Sequence, residues 1–457
     1  MAIQSINPAT GSVLRTFPAL SEQAMRDKID VCARAFDEHR RLPLEHRALC
    51  MRKLATLLEE ERADLARIIT LEMGKPIAAA GAEIDKCIDA CRYFAQNAAR
   101  FLAPEVLRNE TAPTGQAYVQ YEPLGMLLAV MPWNFPFWQV FRFAVPALLA
   151  GNTVLLKNAP SVPQCALQIE GLFRRAGFLR GVLSTLLVEV PAVEAILNDS
   201  RVRGATLTGS EGAGRAIAAQ SGWLLKKTVL ELGGSDPFIV MPSANVEAAA
   251  EAAVKARMVN GGQSCVAAKR FIVQNEVFGE FQQRFVAGME RLRIGDPMKP
   301  EIEVGPLSSA RAVQVLEEQI RDAVAAGGRI LTGGTRMVGN GYFFEPTVIV
   351  NVPRSSPVYR QEIFGPVAML FRANDVQEAL TIANDTPFGL GASVWTADPV
   401  EQEALLNGIE AGMVYLNQPV ASDPRYPFGG IKNSGYGREL GPAGIREFLN
   451  AKTVVIA

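Results

Sequence analysis

Cys265 is preceded by Asn260-Gly261-Gly262-Gln263-Ser264 and followed by Val266-Ala267-Ala268-Lys269-Arg270, so a lone thiol sits between a glycine turn and a β-rich run from Arg270 to Val273. Glycines let the backbone approach a ligand closely or take positive φ. A cysteine placed there can present its sulfur to a substrate. Positive potential from Lys269, Arg270 or oriented backbone N–H groups is expected to lower its pKa toward the nucleophilic thiolate. The competing reading is a small buried hydrophobe. A second candidate is Glu231, alone among aliphatic neighbours in Val229-Leu230-Glu231-Leu232-Gly233-Gly234. Desolvation there would raise its pKa into the range of a general base; the alternative is a strand-end acid facing water. The chain has two histidines, His39 and His46, both far in sequence from Cys265. A cysteine–histidine hydrolase would have to recruit one of them, so a carboxylate is the expected base. No His-rich zinc site is available. Cys87 and Cys91 share one face of a helix, half a metal site at best, and no metal is expected.

The elements that must position these groups follow from periodicity. Residues 21–103 show apolar residues at helical spacing, with Ser21 as an N-cap. Around Ala117–Tyr121 apolar and polar residues alternate, as in an extended hairpin. Gly125–Val130 is a continuous apolar run, expected of a strand buried on both faces, and leads into Pro132-Trp133-Asn134-Phe135-Pro136. A strand at Thr153–Leu156 ends at Lys157. A helix from Gln164 to Ala176 and a strand from Val182 to Val188 come next. Strand Gly204–Thr208 runs into Gly209-Ser210-Glu211-Gly212-Ala213-Gly214 and a helix through Ala219. That alternation predicts a doubly wound parallel sheet, whose ligands bind beyond the carboxyl ends of the strands. The glycine turn can hold phosphate through backbone N–H groups, but G-x-G-x-x-G is absent. Beyond Cys265, helices are expected near 276–291, 308–326 and 375–384. Strands are expected near 270–274, 329–332, 346–350, 367–371 and 391–395. Thr453–Ile456 reads as an edge strand available for a subunit contact.

The chain has 457 residues, 49% hydrophobic and 20% charged, which predicts two or three globular domains. A net charge of -1 argues against nucleic-acid or polybasic membrane binding. No apolar run is long enough to span a bilayer, and the start lacks a charged-then-apolar signal. The six cysteines are scattered, which fits a reducing compartment and a cytoplasmic protein.

Together with these runs, Thr208-Gly209-Ser210, Glu362-Ile363-Phe364-Gly365-Pro366 and Pro427-Phe428-Gly429-Gly430 make the whole chain resemble the aldehyde dehydrogenase superfamily, and within it the bacterial succinate-semialdehyde dehydrogenases. The resemblance implies an α/β fold with a Rossmann-type cofactor domain, an α/β catalytic domain and a small β oligomerisation element. The corresponding divisions are 1–230, with an oligomerisation hairpin near 106–122; 231–428; and a return segment with a C-terminal oligomerisation strand at 429–457. It implies oxidation of an aldehyde to an acid with NADP or NAD. Cys265 would be the nucleophile, Asn134 with the Cys265 N–H the oxyanion donors, and Glu231 the base that hydrolyses the thioester. Coenzyme-A-acylating relatives lack this glutamate, so hydrolysis is expected over thiolysis. Trp133, Lys157, Pro160, Gly209, Ser210, Glu362 and Phe364 would hold the cofactor. Arg142, Trp138, Ser422 and Phe428 would bind the substrate, with Arg425 and Lys269 as weaker candidates for its carboxylate. The partners expected are the small aldehyde and further copies of the chain, as a homodimer or homotetramer.

Three positions depart from the superfamily pattern. Pro160 stands where NAD-preferring members carry a glutamate for the ribose 2′-hydroxyl, so NADP is expected to be accepted. Phe143 replaces a lysine linked to a proton relay through Glu439, which puts that relay in doubt. Val259 replaces an arginine found in some semialdehyde enzymes. The alternatives are another small aliphatic or aromatic aldehyde, a catalytically silent homologue, or a cysteine hydrolase without redox activity.

Overall fold

The computed structural model describes residues 2–107 and 116–456. Two mainly parallel sheets carry the site. The first runs through Gly435–Tyr436, Lys227–Glu231, Val202–Thr208, Met126–Met131, Thr153–Asn158 and Leu183–Thr185; only Gly435–Tyr436 is antiparallel to its neighbour. The second runs through Arg329–Thr332, Thr347–Val350, Val367–Ala373, Arg270–Gln274, Pro237–Val240, Gly391–Trp395 and Met413–Leu416, with Arg329–Thr332 antiparallel. In the first sheet the strand order reverses at Met126–Met131, which pairs with Thr153–Asn158 on one side and Val202–Thr208 on the other. A reversal of this kind opens a crevice beyond the carboxyl ends of the strands.

The apolar run behaves as its composition requires: Met126, Leu127, Leu128 and Ala129 are all buried, between layers of helix. Helix Trp138–Leu149 is buried at every residue, so it has no solvent face and must be packed on all sides. It lies against helix Ile77–Phe101, whose buried face includes Ile84, Ile88 and Phe94.

Ser21 caps helix Glu22–His39 by accepting from the Ala24 N–H. The strand expected at 182–188 is only Leu183–Thr185, and the helix after Ser210 extends to Trp223. Helix Val246–Met258 and strand Pro237–Val240 were not legible from periodicity. The former is alanine-rich and shows helix propensity without a sharp apolar stripe. Strand Leu449–Ile456 pairs with Gln116–Pro123 along its length and leaves its other edge open. It begins four residues earlier than the sequence suggests. Glu105–Leu107 completes that three-stranded sheet, while residues 108–115 of the expected hairpin lie outside the described residues.

Candidate active site

The Cys265 turn is built by backbone geometry. Helix Val246–Met258 ends in a single turn, Val259–Gly262, in which Asn260, Gly261 and Gly262 have φ of 55°, 62° and 78°. Gly262 is required for two reasons. Its φ is left-handed, and a Cβ there would fall 2.1 Å from the Gly365 carbonyl oxygen. That close approach locks the thiol turn to the Glu362–Pro366 loop. Arg257 Nη2 donates to the Gly262 carbonyl at 2.6 Å, and the Gln263 side-chain carbonyl accepts from the Ser308 N–H at 2.9 Å.

Cys265 is half-buried on the wall of a cavity of about 660 Å³. Trp138, Arg142, Ser422 and Phe428 share that lining. Burial pushes the thiol up to about 11; Arg142 and Lys269 offset part of the rise, and Glu362 and Asp236 add to it. The expected lowering by Lys269 and Arg270 therefore does not hold, because desolvation outweighs the nearby cations. Arg270 turns away to donate to the carbonyls of Ile382 and Ala383 under the Tyr359 ring. Lys269 is fully buried and donates to the carbonyls of Ser264 at 2.8 Å and Cys265 at 2.6 Å, with Glu362 at 3.4 Å.

Asn134 follows strand Met126–Met131 and is buried. Its Nδ2 donates to the Gln263 carbonyl at 3.1 Å, and Asn260 Nδ2 donates to the Asn134 carbonyl at 2.8 Å. A side-chain amide carries two N–H donors, so one remains for a ligand oxygen. The Cys265 N–H donates to nothing else among the described residues. Glu231 ends strand Lys227–Glu231 and is buried, so the solvent-facing alternative is excluded. Neither carboxyl oxygen has a hydrogen-bond partner among the described residues. Desolvation holds its pKa well above the usual carboxylate range; Arg142 opposes this and Glu439 reinforces it. Gly429 makes room for it: at φ 150°, a Cβ there would lie 2.7 Å from Glu231 Oε1.

The residues expected to hold a nicotinamide cofactor gather beyond the carboxyl ends of the first sheet. Lys157 is buried at the end of strand Thr153–Asn158, its pKa lowered by burial, with no carboxylate within ion-pair reach among the described residues. The neighbouring Asn158 amide has no partner at either end. Gly209 donates its N–H to the Glu231 carbonyl at 3.0 Å, and Ser210 caps helix Glu211–Trp223. Glu362 accepts from the Gly234 N–H at 3.0 Å, and a Cβ on Gly233 would meet its other oxygen at 2.6 Å. Trp133 and Phe364 meet edge to face with centroids 5.9 Å apart. Pro160 is exposed on the turn after Lys157. An unpaired buried cation and an unsatisfied amide beside a crevice fit a polyanionic dinucleotide.

A profile described as the Aldehyde dehydrogenase family matches residues 1–454. The chain belongs to the aldehyde dehydrogenase family. It is 50% identical over 457 residues, covering both chains completely, to succinate-semialdehyde dehydrogenase (NADP(+)) 1 of Mycobacterium tuberculosis, strain H37Rv. It is 48% identical over 457 residues, again covering both chains completely, to succinate-semialdehyde dehydrogenase (NADP(+)) of Mycobacterium leprae. Among solved structures, succinic semialdehyde dehydrogenase from Streptococcus pyogenes with NADP+ superposes at a TM-score of 0.96 with 36% identity, covering 99% of each chain. Gox0499 superposes at 0.98 with 41% identity, covering 100% of each.

Within this cavity Arg142 is already engaged by protein groups. Its Nε donates to buried Glu439, its Nη2 reaches Thr208 Oγ1 at 3.3 Å, and its guanidinium lies 4.2 Å from the Phe428 ring centroid. The guanidinium lines the cavity, but its charge is matched by Glu439. Phe143 packs on Phe448 and leaves Glu439 to Arg142. Arg425 pairs with Asp423 and Lys269 lies behind the thiol turn; neither lines the cavity. Two residues of helix Ile77–Phe101 were missed. Glu83 accepts from the N–H groups of Phe137 and Trp138, both at 2.9 Å, and pairs with buried Lys75. Lys86, one turn further, enters the cavity beside Ser422. Nothing local marks either, since both read as charges on a helix face and acquire meaning only from the helix packed against them.

Proposed function

We propose that this chain oxidises succinate semialdehyde to succinate with NADP, and with NAD as a usable second cofactor. The observation that carries this reading is the end-to-end 50% identity with the M. tuberculosis protein of that name; Cys265 on the cavity wall and the buried Asn134 and Glu231 support it.

The residues support the following chemistry. Cys265 Sγ, as thiolate, adds to the aldehyde carbonyl carbon. The oxygen takes up the electron pair against the spare Asn134 N–H and the Cys265 N–H, donors already fixed in place by the turn. A bound nicotinamide cofactor supplies the two-electron acceptor that turns an aldehyde-level adduct into an acid-level one. Lys157, Ser210, Glu362 and the Trp133–Phe364 pair would hold it. For release, Glu231 takes a proton from water as the water oxygen adds to the thioester carbon. Collapse expels Cys265 Sγ and frees the carboxylic acid. Burial favours neutral Glu231 at rest, so its ionised form grows as pH rises.

The absence of a carboxylate at Pro160 supports the cofactor choice. A carboxylate beside a 2′-phosphate would repel it at close range. Lys157 and Ser161 supply donors instead. Steady-state rates with succinate semialdehyde should give kcat/KM for NADP at least equal to that for NAD. Pro160→Glu should move the preference toward NAD. A wild-type preference for NAD above roughly tenfold, a difference of about 1.4 kcal/mol, would sink the cofactor assignment.

The open edge of Leu449–Ile456, with Val455 71% exposed, supports a homodimer or homotetramer joined through this strand. The divisions 1–230, 231–428 and 429–457 are proposed as cofactor, catalytic and return segments. A cytoplasmic setting fits the scattered free cysteines. No helix among the described residues is long and apolar enough to cross a membrane.

A further inference from the structure

One side of the active-site cavity carries a cluster of Lys86, Trp138 and Ser422 whose spare hydrogen-bonding capacity is all of the donor kind. Lys86 Nζ donates to Ser422 Oγ at 2.6 Å, and Trp138 Nε1 donates to the same oxygen at 3.0 Å. A hydroxyl oxygen has two lone pairs, and both are taken, so the Ser422 O–H must donate outward. An ammonium has three N–H bonds and no acceptor, and Lys86 has one hydrogen-bond partner among the described residues. Indole N–H is likewise donor only. The unsatisfied capacity of the cluster is therefore all of one kind. It matches a group that only accepts, and beside an ammonium the fit is an anion, in the proposed substrate its carboxylate.

Charge points the same way. Among the described residues Arg142 is matched by Glu439, Lys75 by Glu83, and Arg425 by Asp423. Lys86 makes no ion pair among the described residues; its ammonium lies 4.6 Å from the Trp138 ring centroid. Of the cavity-lining cations that are not exposed, Lys86 is thus the one without an ion-pair partner among the described residues, whereas Arg142 has Glu439. The other unpaired cations on the lining, Lys255 and Arg291, are exposed at the mouth. Position is also fixed. Glu83, one turn before Lys86 on the same helix, grips the start of helix Trp138–Leu149, so Lys86 and Trp138 are held in register.

We infer that Lys86, with the outward Ser422 hydroxyl, is the group that selects a carboxylate-bearing aldehyde, and that Arg142 acts as a positioning residue through Glu439. This rests on the proposed reaction with succinate semialdehyde. Burial lowers the Lys86 pKa to about 8; the groups facing it are Arg142 from helix Trp138–Leu149, which also lowers it, and Asp423 from the loop after Ser422, which raises it, with Glu83 and Cys87 on its own helix. A neutral lysine would cease to attract the carboxylate.

The test uses the full-length enzyme with saturating NADP and two four-carbon aldehydes, succinate semialdehyde and butanal. The readout is the ratio of their kcat/KM values, in which the titrations of Cys265 and Glu231 cancel. In wild type the ratio should favour succinate semialdehyde and fall as pH rises through about 8. Lys86→Met should lower it roughly 10- to 100-fold, mainly through KM for the anionic aldehyde, and Lys86→Arg should restore much of it and flatten the pH dependence. Lys86→Gln serves where Lys86→Met does not fold. An equal fall for both aldehydes would make Lys86 structural and overturn the inference. So would an unchanged ratio, which would return carboxylate recognition to Arg142 or the mouth cations. A wild-type enzyme that does not favour succinate semialdehyde fails before any variant is made; that outcome overturns the substrate reading and the role of Lys86 with it.

Discussion

At the scale of single residues, burial disfavours the anionic forms of both Cys265 and Glu231, the two groups proposed to do the chemistry. Cys265 lies in a wall where desolvation exceeds the field of Lys269 and Arg142, so its thiol rests protonated near neutral pH. Alkylation of the cofactor-free enzyme by iodoacetamide should therefore accelerate roughly tenfold per pH unit below a midpoint of about 11. Lys269→Met should move that midpoint higher, since it removes a cation that favours the thiolate. A midpoint under pH 8 would show that the turn activates the thiol by itself. Glu231 is governed by the same physics, desolvation disfavouring its anionic form. Its raised pKa means that the basic form gains population as pH rises, so the rate of acid release should climb with pH in wild type. Glu231→Gln should give one burst of reduced cofactor per active site, then turn over roughly 10²–10⁴ times more slowly, with the pH-dependent rise lost. A linear progress curve at the wild-type rate would remove Glu231 from the mechanism.

At the scale of elements, one helix–helix junction sets the aromatic and cationic side of the cavity. The start of helix Trp138–Leu149 has no cap from its own sequence. Glu83 supplies it from helix Ile77–Phe101, accepting two backbone N–H groups with Oε1 while Oε2 meets Lys75. Lys75 in turn lies 3.6 Å from the Phe135 ring centroid, so the segment carrying Asn134 is tied to the same carboxylate. Removing Glu83 leaves two unsatisfied N–H groups and a buried, unpaired ammonium. Glu83→Ala should therefore cost about 3–5 kcal/mol of stability, the range for breaking a buried ion pair from one side. The melting temperature should fall, and Lys75→Met in the same background should recover part of the loss. An unchanged melting temperature would show that the junction is held by its apolar contacts alone.

At the scale of the whole molecule, no segment owns the site. Asn134 and Glu231 stand at strand ends of the first sheet, Cys265 on the turn between helix Val246–Met258 and the second sheet, and Glu362 on a loop of the second sheet. The Asn134 amide reaches across 129 residues to the Gln263 carbonyl. The return segment closes the arrangement: Gly435 and Tyr436 pair with Glu231 and Leu230, while Gly429, on the same segment, clears the space for the Glu231 carboxyl. The backbone contact of Gly262 with Gly365 ties the thiol turn to the loop that carries Glu362, one of the residues proposed to hold the cofactor. Such an arrangement needs both sheets formed and docked before any of its chemistry exists.

The local chemistry of this chain was written in its residues. An apolar run with no polar face had to be a strand covered on both sides, and Met126–Met131 is one. A cysteine after two glycines had to follow a backbone of unusual conformation, and Asn260, Gly261 and Gly262 all take positive φ. Glu231 among aliphatic residues had to be buried or turned outward, and neighbours in sequence could not decide which. Gly429, nearly two hundred positions away, decides it by lacking a side chain where the carboxyl lies. The same holds for charge. Sequence names the cations Lys75, Lys86, Arg142, Lys269 and Arg270 but cannot assign their partners, because the partners of Lys86, Arg142 and Arg270 are distant in the chain and even the nearby ones of Lys75 and Lys269 depend on how the chain turns. Only packing commits Arg142 to Glu439, Arg270 to the carbonyls of Ile382 and Ala383, and Lys269 to the back of the thiol turn. It leaves Lys86 facing the cavity with donors to spare, because the effective charge of a buried group is set by what surrounds it in space.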